Sequence, residues 1–351
     1  RGERPPPASR PASAMQTEDR DDGIIWQLNL IRDPTPWDGT PIEALIFEGG
    51  GAKCAAYSGV VRRLAEAGAF ARITKFAGSS GGALAAALCA TGYTPSELMA
   101  TMRATPFGSF FDDSWGFLRD LHRLVTTTAY YKGDAYHAYC EGLLRAKTGV
   151  EGITFKQLHK RTGAWLRVGA VCIDDDAVVL LDHRSAPDMP VSLAVRASSA
   201  LPFLFPPVEW NGKEYIDGGV LANMPACAFR GCFTLALDLV AVSQDVSALS
   251  KRRQGEASRA DVVNATIQLV LFAAQRGGGV DPGVDVVQVD CKDVSVTTAL
   301  TPEQFEMLDA SGYAAIDAYL GGEAAKAPAP ALSPAPAAKP APAKPAAPPG
   351  K

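Results

Sequence analysis

Three short stretches carry residue types that do chemistry at a usable spacing. In Gly78-Ser79-Ser80-Gly81-Gly82 the pattern G-x-S-x-G places Ser80 at a nucleophile position, with neighbours small enough for a tight strand-to-helix turn. A helix beginning there offers unpaired backbone N–H groups, and the positive end of its dipole, to a developing anion. In Glu48-Gly49-Gly50-Gly51-Ala52-Lys53-Cys54, three consecutive glycines let N–H groups converge on a phosphate or an oxyanion. The nucleotide versions fail in detail: a dinucleotide fingerprint wants glycine where Cys54 stands, and a Walker loop needs four residues before Gly-Lys-Ser/Thr. An oxyanion hole beside Ser80 fits better. The third stretch, Tyr215-Ile216-Asp217-Gly218-Gly219, follows Ser198-Ser199-Ala200-Leu201-Pro202-Phe203 and precedes Asn223-Met224-Pro225. An isolated Asp before two glycines is normally a turn; here that reading competes with a general base.

Other nucleophiles and bases are weaker candidates. Cys54 as the nucleophile lacks a histidine at an informative position. A triad in the order Ser, Asp, His is available only through Asp174–Asp176 and His183, a stretch that reads as a strand hairpin with exposed acids. His122, His137 and His159 lie on helix-like segments. Phe107, Phe110, Phe111, Trp115 and Phe117 form an aromatic cluster that reads first as core and second as a lid or lipid-facing surface. Leu201, Phe203, Leu204 and Phe205 are candidates to line an apolar pocket, and Lys251-Arg252-Arg253 reads as a solvated loop.

The elements that must position these residues alternate between strand-like and helix-like runs, which predicts an α/β fold. Glu43–Phe47 reads as a strand ending in the glycines; Tyr57, Val60, Val61 and Leu64 then recur at helical spacing up to Gly68. Ile73–Ala77 reads as a second strand ending at Gly78, followed by a helix through Ala83, Leu84, Ala87 and Leu88. Two strand–glycine–helix units thus stand in succession. Further strands are predicted at Trp165–Ile173, Val178–Leu181, Phe233–Val240 and Val284–Asp290, with helices near Tyr136–Lys147, Val191–Ser199, Asp261–Gln275 and Pro302–Tyr319.

Composition limits what this scaffold does. The 351 residues are 47% hydrophobic and 21% charged, which suits one large globular domain and excludes a wholly disordered or collagenous chain. No apolar run approaches the roughly 18 residues of a membrane-spanning helix. The formal charge is −4; the Ala/Pro/Lys-rich end carries four lysines and no acid and residues 1–22 carry −1, leaving −7 on Gly23–Glu323 and no basic stripe for nucleic acid. Seven scattered cysteines without a C-x-x-C pair point to reduced thiols and no zinc site. Residues 1–22 and 321–351 read as disordered tails around a domain at 23–320, with no secretory signal. The expected setting is cytoplasmic and peripheral to membranes.

Together the three stretches resemble the patatin-like phospholipases: a G-G-G-x-[R/K] loop at Gly49–Lys53, a G-x-S-x-G elbow at Gly78–Gly82 and a D-G-[A/G] element at Asp217–Gly219, with a connecting A-S-x-A-x-P-x-x-F-x-P-V-like stretch at Ala197–Val208. The resemblance implies a three-layer α/β fold with a mostly parallel sheet flanked by helices. It implies a Ser–Asp dyad in which Ser80 attacks an acyl ester and Asp217 accepts its proton, with an oxyanion hole from Gly50, Gly51, Ala52 and Gly81. Gly49, Lys53, Gly78, Gly82, Gly218 and Gly219 support it. No metal or organic cofactor is required. The implied partners are a phospholipid or other acyl-ester lipid and a membrane surface, with a protein activator in some relatives; a catalytically silent lipid-binding or scaffolding member is the alternative. One departure stands out: the family usually has glycine where this chain has Cys54, a side chain where the helix meets the neighbouring strand.

Overall fold

The computed structural model describes residues 37–110, 131–240, 283–292, 294 and 299–321. The tails, the segment 241–282 with its predicted helix and basic triplet, His122, and Phe111, Trp115 and Phe117 lie outside the described residues. Within them, β1 (Ala44–Phe47), β2 (Lys75–Ser79), β3 (Trp165–Cys172), β4 (Ala177–Leu181), β5 (Val208–Trp210), β6 (Lys213–Asp217), β7 (Thr234–Val240) and β8 (Val284–Asp290) form one sheet in the order β5-β6-β3-β2-β1-β7-β8, with β4 also on β3. Strands β3, β2, β1, β7 and β8 run parallel; β4, β5 and β6 pair antiparallel. The expected α/β architecture, with a mostly parallel sheet and flanking helices, is present.

Burial explains the sequence of the central strand. All four residues of β1 are buried, Leu45 and Phe47 in the main core and Ala44 and Ile46 in a smaller cluster with Ala77, Phe229 and Ala236 on the other face. A strand covered on both faces reads as a continuous apolar run. The main core is roofed by α1 (Tyr57–Glu66), α2 (Gly81–Ala90), α3 (Pro95–Ala104), α4 (Asp134–Thr148), α5 (Phe155–Thr162), α6 (Val191–Ser198) and α8 (Pro302–Tyr319); the one-turn α7 (Gly219–Ala222) follows β6. Helix starts are marked locally: Thr94 with Glu97, Thr154 with Gln157 and Thr301 with Gln304 form reciprocal capping boxes. Phe110 joins the core edge against Tyr136 and Tyr139, as a core aromatic should.

One feature of the register decides the site. Residues 168–169 of β3 pair with both β2 and β4, and residues 170–172 pair with both β4 and β6. A strand has two edges, so β2 and β6 share one of them. Ser79, the end of β2, lies opposite Gly169, and Asp217, the end of β6, lies opposite Ala170. The two strands meet head to head, and Ser80 leaves the sheet where Asp217 arrives.

Candidate active site

Ser80 sits at φ 53°, ψ −127°, between β2 and α2. That region is sparsely populated for any residue but glycine, and occupying it stores strain of roughly 1–3 kcal/mol. Packing holds it there. The Ser80 N–H donates to Ser198 Oγ at 2.8 Å, and Ser198 Oγ donates to the Gly169 carbonyl at 2.5 Å. Ser79 Oγ donates to Ala222 O at 2.8 Å, tying the elbow to α7. Glycine is required around the turn for space: a Cβ on Gly78 or Gly82 would overlap backbone carbonyls, and one on Gly218 would lie 3.0 Å from Ser79 Oγ.

Asp217 is fully buried, with Oδ1 accepting the Gly219 N–H at 2.6 Å and Oδ2 lacking a hydrogen-bond partner of normal geometry among the described residues. Burial pushes its pKa up to about 7, against the stabilising effects of the Gly219 N–H, the Ser80 hydroxyl and the Arg196 charge. Ser80 therefore acts on this carboxylate although no bond of ideal geometry joins them, as is common before a ligand tightens a site. Arg196, on α6, is buried and donates to the carbonyls of Gly133 and Lys132, fixing the neighbouring loop.

The glycine loop closes the third side. Gly50 precedes a 3-10 turn over Gly51–Ala56, which packs against the start of α2: a Cβ on Gly81 would lie 3.1 Å from Gly51 N and 2.8 Å from Cys54 Sγ. Gly51 and Gly81 each open a helical segment, so their N–H groups have no intrahelical acceptor. Such adjacent, unspent donors are what an oxyanion hole is built from. The Ser80 N–H is already committed to Ser198. Lys53 is mostly buried within the turn, beside Gly50.

Cys54 is accommodated. Its buried Sγ fills space left by Gly50 and Gly81 and donates to Glu48 O at 3.8 Å. Burial, and then the neighbouring Cys291 and Glu48, push its pKa well above the ordinary thiol range, so it stays protonated and a poor nucleophile.

The stretches Gly49–Lys53 and Gly78–Gly82, and Asp217–Gly219 more than 130 positions further on, are brought to one sheet end. A family model described as patatin-like phospholipase matches residues 45–229, over half the chain. The chain belongs to the patatin-like phospholipase family. The uncharacterized protein YqhO of Bacillus subtilis is 34% identical over 52% of this chain and 65% of its own length. A probable lipid hydrolase of Invertebrate iridescent virus 6 is 28% identical over 44% of the chain and 52% of its own. A patatin-like phospholipase domain-containing protein of Aspergillus oryzae is 31% identical over 56% of the chain and 28% of its own. The chain thus spans less than two thirds of each of these relatives. VipD of Legionella pneumophila has a similar fold, with a TM-score of 0.53 at 17% identity over 80% of this chain and 67% of that one.

Several supporting residues carried little sequence signal. Glu48, Ser198 and Asn223 stand beside the motifs with no pattern that gives them a role, and Arg196 lies outside the motifs. In the 201–205 turn, Phe205 is buried beside Tyr131, whereas Phe203 is 65% exposed at φ 69°. The candidate triad partners are elsewhere; Asp174–Asp176 are exposed in the β3–β4 turn, and His183 stacks on His159 with ring centroids 3.8 Å apart. Among the described residues, no His/Cys/Asp/Glu group is arranged to hold a metal ion, and no helix is long and apolar enough to cross a membrane.

Proposed function

We propose that this protein is a serine acyl hydrolase that cleaves acyl esters of phospholipids or related lipids through a Ser80–Asp217 dyad. The observation that carries this reading is the meeting of β2 and β6 along β3, which sets a strained serine against a buried carboxylate whose pKa is pushed up to about 7. A carboxylate of ordinary pKa is a weak base at neutral pH; one near 7 is matched to proton transfer there.

The Ser80 hydroxyl attacks the ester carbonyl carbon and its proton passes to Asp217 Oδ2. The carbonyl oxygen becomes an oxyanion held by N–H groups of Gly50, Gly51 or Ala52 and of Gly81. Collapse breaks the carbon–oxygen bond to the alcohol, which leaves with the proton from Asp217, and an acyl ester remains on Ser80. Water then attacks that ester while Asp217 takes its proton, and the carboxylic acid is released with the Ser80 hydroxyl restored. Two exposed apolar side chains flank the base: Phe203, on the turn whose Ala200 carbonyl accepts the Asp217 N–H, and Leu221, 47% exposed on α7. They support access from a lipid surface.

Hydrolysis of a short-chain chromogenic ester and of mixed phospholipid vesicles, compared across wild type, Ser80→Ala and Asp217→Asn, tests the reading. Loss in both folded variants is the expected result. Activity that survives Ser80→Ala sinks the dyad, and a wild type inert on both substrates turns the weight to a lipid-binding role.

A further inference from the structure

The mechanism above leaves unexplained a buried carboxylate directly behind the glycine loop. Glu48 is fully buried at the end of β1. Its Oε1 accepts from Asn223 Nδ2 at 2.8 Å and its Oε2 from the Leu239 N–H at 2.5 Å. Burying a carboxylate is costly unless it is hydrogen-bonded, so this one has a definite task in the fold. Asn223 ends α7, six residues after Asp217, and it grips the next residue of the loop from two sides. Its Nδ2 also donates to Gly49 O at 3.0 Å, and its carbonyl accepts the Gly49 N–H at 3.1 Å. Because Nδ2 faces two acceptors, the orientation of the amide is settled by its partners. Its Oδ1 takes up the space a Gly49 side chain would need, beside Ser80 Cβ.

This arrangement controls a peptide plane. In a trans peptide the C=O of one residue and the N–H of the next point in opposite directions. Holding the Gly49 carbonyl toward Asn223 therefore fixes the direction of the Gly50 N–H. Neither Gly49 nor Gly50 has a side chain to resist rotation, so without the grip the plane is free to turn. We propose that Glu48 and Asn223 are positioning residues of the oxyanion hole: Glu48 orients the Asn223 amide, and Asn223 locks the Gly49–Gly50 peptide so that the Gly50 N–H is presented to the oxyanion. The inference rests on the hydrolase reading given above. It also gives the D-G-G element a second role, since the segment that delivers the base at Asp217 delivers the brace of the oxyanion loop at Asn223.

The test is steady-state hydrolysis of the short-chain ester by the full chain, for Asn223→Ala, Glu48→Gln and the double variant. Glu48→Gln keeps shape and volume but leaves one acceptor for two donors, the Leu239 N–H and Asn223 Nδ2. Each single variant is expected to lower kcat by about 10²–10³-fold, the loss typical of one oxyanion donor. KM should stay within about threefold, the midpoint of the pH–rate profile should not move, and the double variant should be no worse than the poorer single one, as for residues acting in one unit. A merely structural role would lower the amount of folded enzyme, not its kcat split or coupling. Should Asn223→Ala not fold, the isosteric Glu48→Gln carries the same expectation. Ser80-dependent hydrolysis that persists within threefold in folded variants overturns this proposal alone, as does a displaced pH midpoint or additive loss in the double variant. A wild type without Ser80-dependent hydrolysis overturns the hydrolase reading and takes the brace with it.

Discussion

Asp217 and Asp182 are the same residue type, both buried, and both close to β3, yet their environments drive them in opposite directions. For Asp182, burial raises the pKa, but the N–H of Ser185, the Trp165 indole, the N–H of Arg184 and the Arg167 guanidinium outweigh it and bring the group to about 2. Trp165 Nε1 and Arg167 Nε each donate to Oδ2 at 2.9 Å, and the N–H groups of Arg184 and Ser185 donate to Oδ1 at 2.7 and 2.9 Å. Asp217 has the burial with only one backbone N–H of that kind. Burial alone does not define a base: a fully satisfied carboxylate becomes a structural anion, and an under-satisfied one becomes a proton acceptor.

Substitution of the two acids should separate these roles most sharply. Asp217→Asn is expected to reduce kcat for ester hydrolysis by about 10²–10⁴-fold, the range for a lost general base, with the fold retained because Asn Oδ1 still accepts the Gly219 N–H. Asp182→Asn should do the reverse, leaving kcat within about twofold while lowering unfolding free energy in urea by roughly 3 kcal/mol, the penalty for stranding a charged partner. A Asp182→Asn enzyme that folds normally but has lost activity would break the comparison.

The pH dependence has opposite signs at the two sites. The proposed base Asp217 can accept a proton only when ionised, so hydrolysis should rise through a midpoint near pH 7 and then level off. Its folded pKa lies above its unfolded value of about 3.9, so the folded state binds the extra proton between those limits. The stability this contributes is present below about pH 4 and is lost as pH rises to about 7. Asp217→Asn should therefore raise the thermal midpoint relative to wild type at pH 8 and change it little at pH 4. Asp182 has its folded pKa depressed, so its contribution is full above about pH 4 and is lost as pH falls through about 2. Differential scanning calorimetry of the two variants across pH 2–8 reads both slopes; equal slopes would erase the distinction.

Local chemistry explains which parts of this were readable in the sequence. Ser80 and the glycine loop announce themselves because the turn geometry demands small residues in fixed order, and β1 because a short apolar run bounded by turn residues leaves few alternatives. The hairpin that ends at Asp217 has one local signal, Asn211-Gly212 between β5 and β6, a two-residue turn with both residues at positive φ. Helix α3 is likewise signalled by its Thr94 cap, and α5 by its Thr154 cap and the helix-like segment around His159. The Glu48–Asn223 pair is different in kind: its members are 175 positions apart, and nothing local to either predicts that a carboxylate will need an amide. The serine and aspartate motifs are legible, but the reason the pKa of Asp217 is raised is not, since that depends on which donors the fold withholds.

The smallest expected effect concerns His183, and it bears on whether the base is Asp217 or an imidazole. Strand β4 runs antiparallel to β3, with Leu181 opposite Val168, so the chain beyond β4 travels back toward the start of β3 and away from the end where Ser80 emerges. His183 there lies flat against His159, with Trp165 edge-on at 5.3 Å. Burial, and then the neighbouring His159, lower its pKa, which disfavours a second charge in the stack. Its side chain thus serves packing at the non-catalytic end of the sheet. His183→Ala is expected to leave kcat, KM and the pH midpoint unchanged within experimental scatter and to cost about 1 kcal/mol or less of stability. A hundredfold loss of kcat with the fold intact would restore the Ser-Asp-His order and remove the contrast between the two aspartates as an explanation of catalysis.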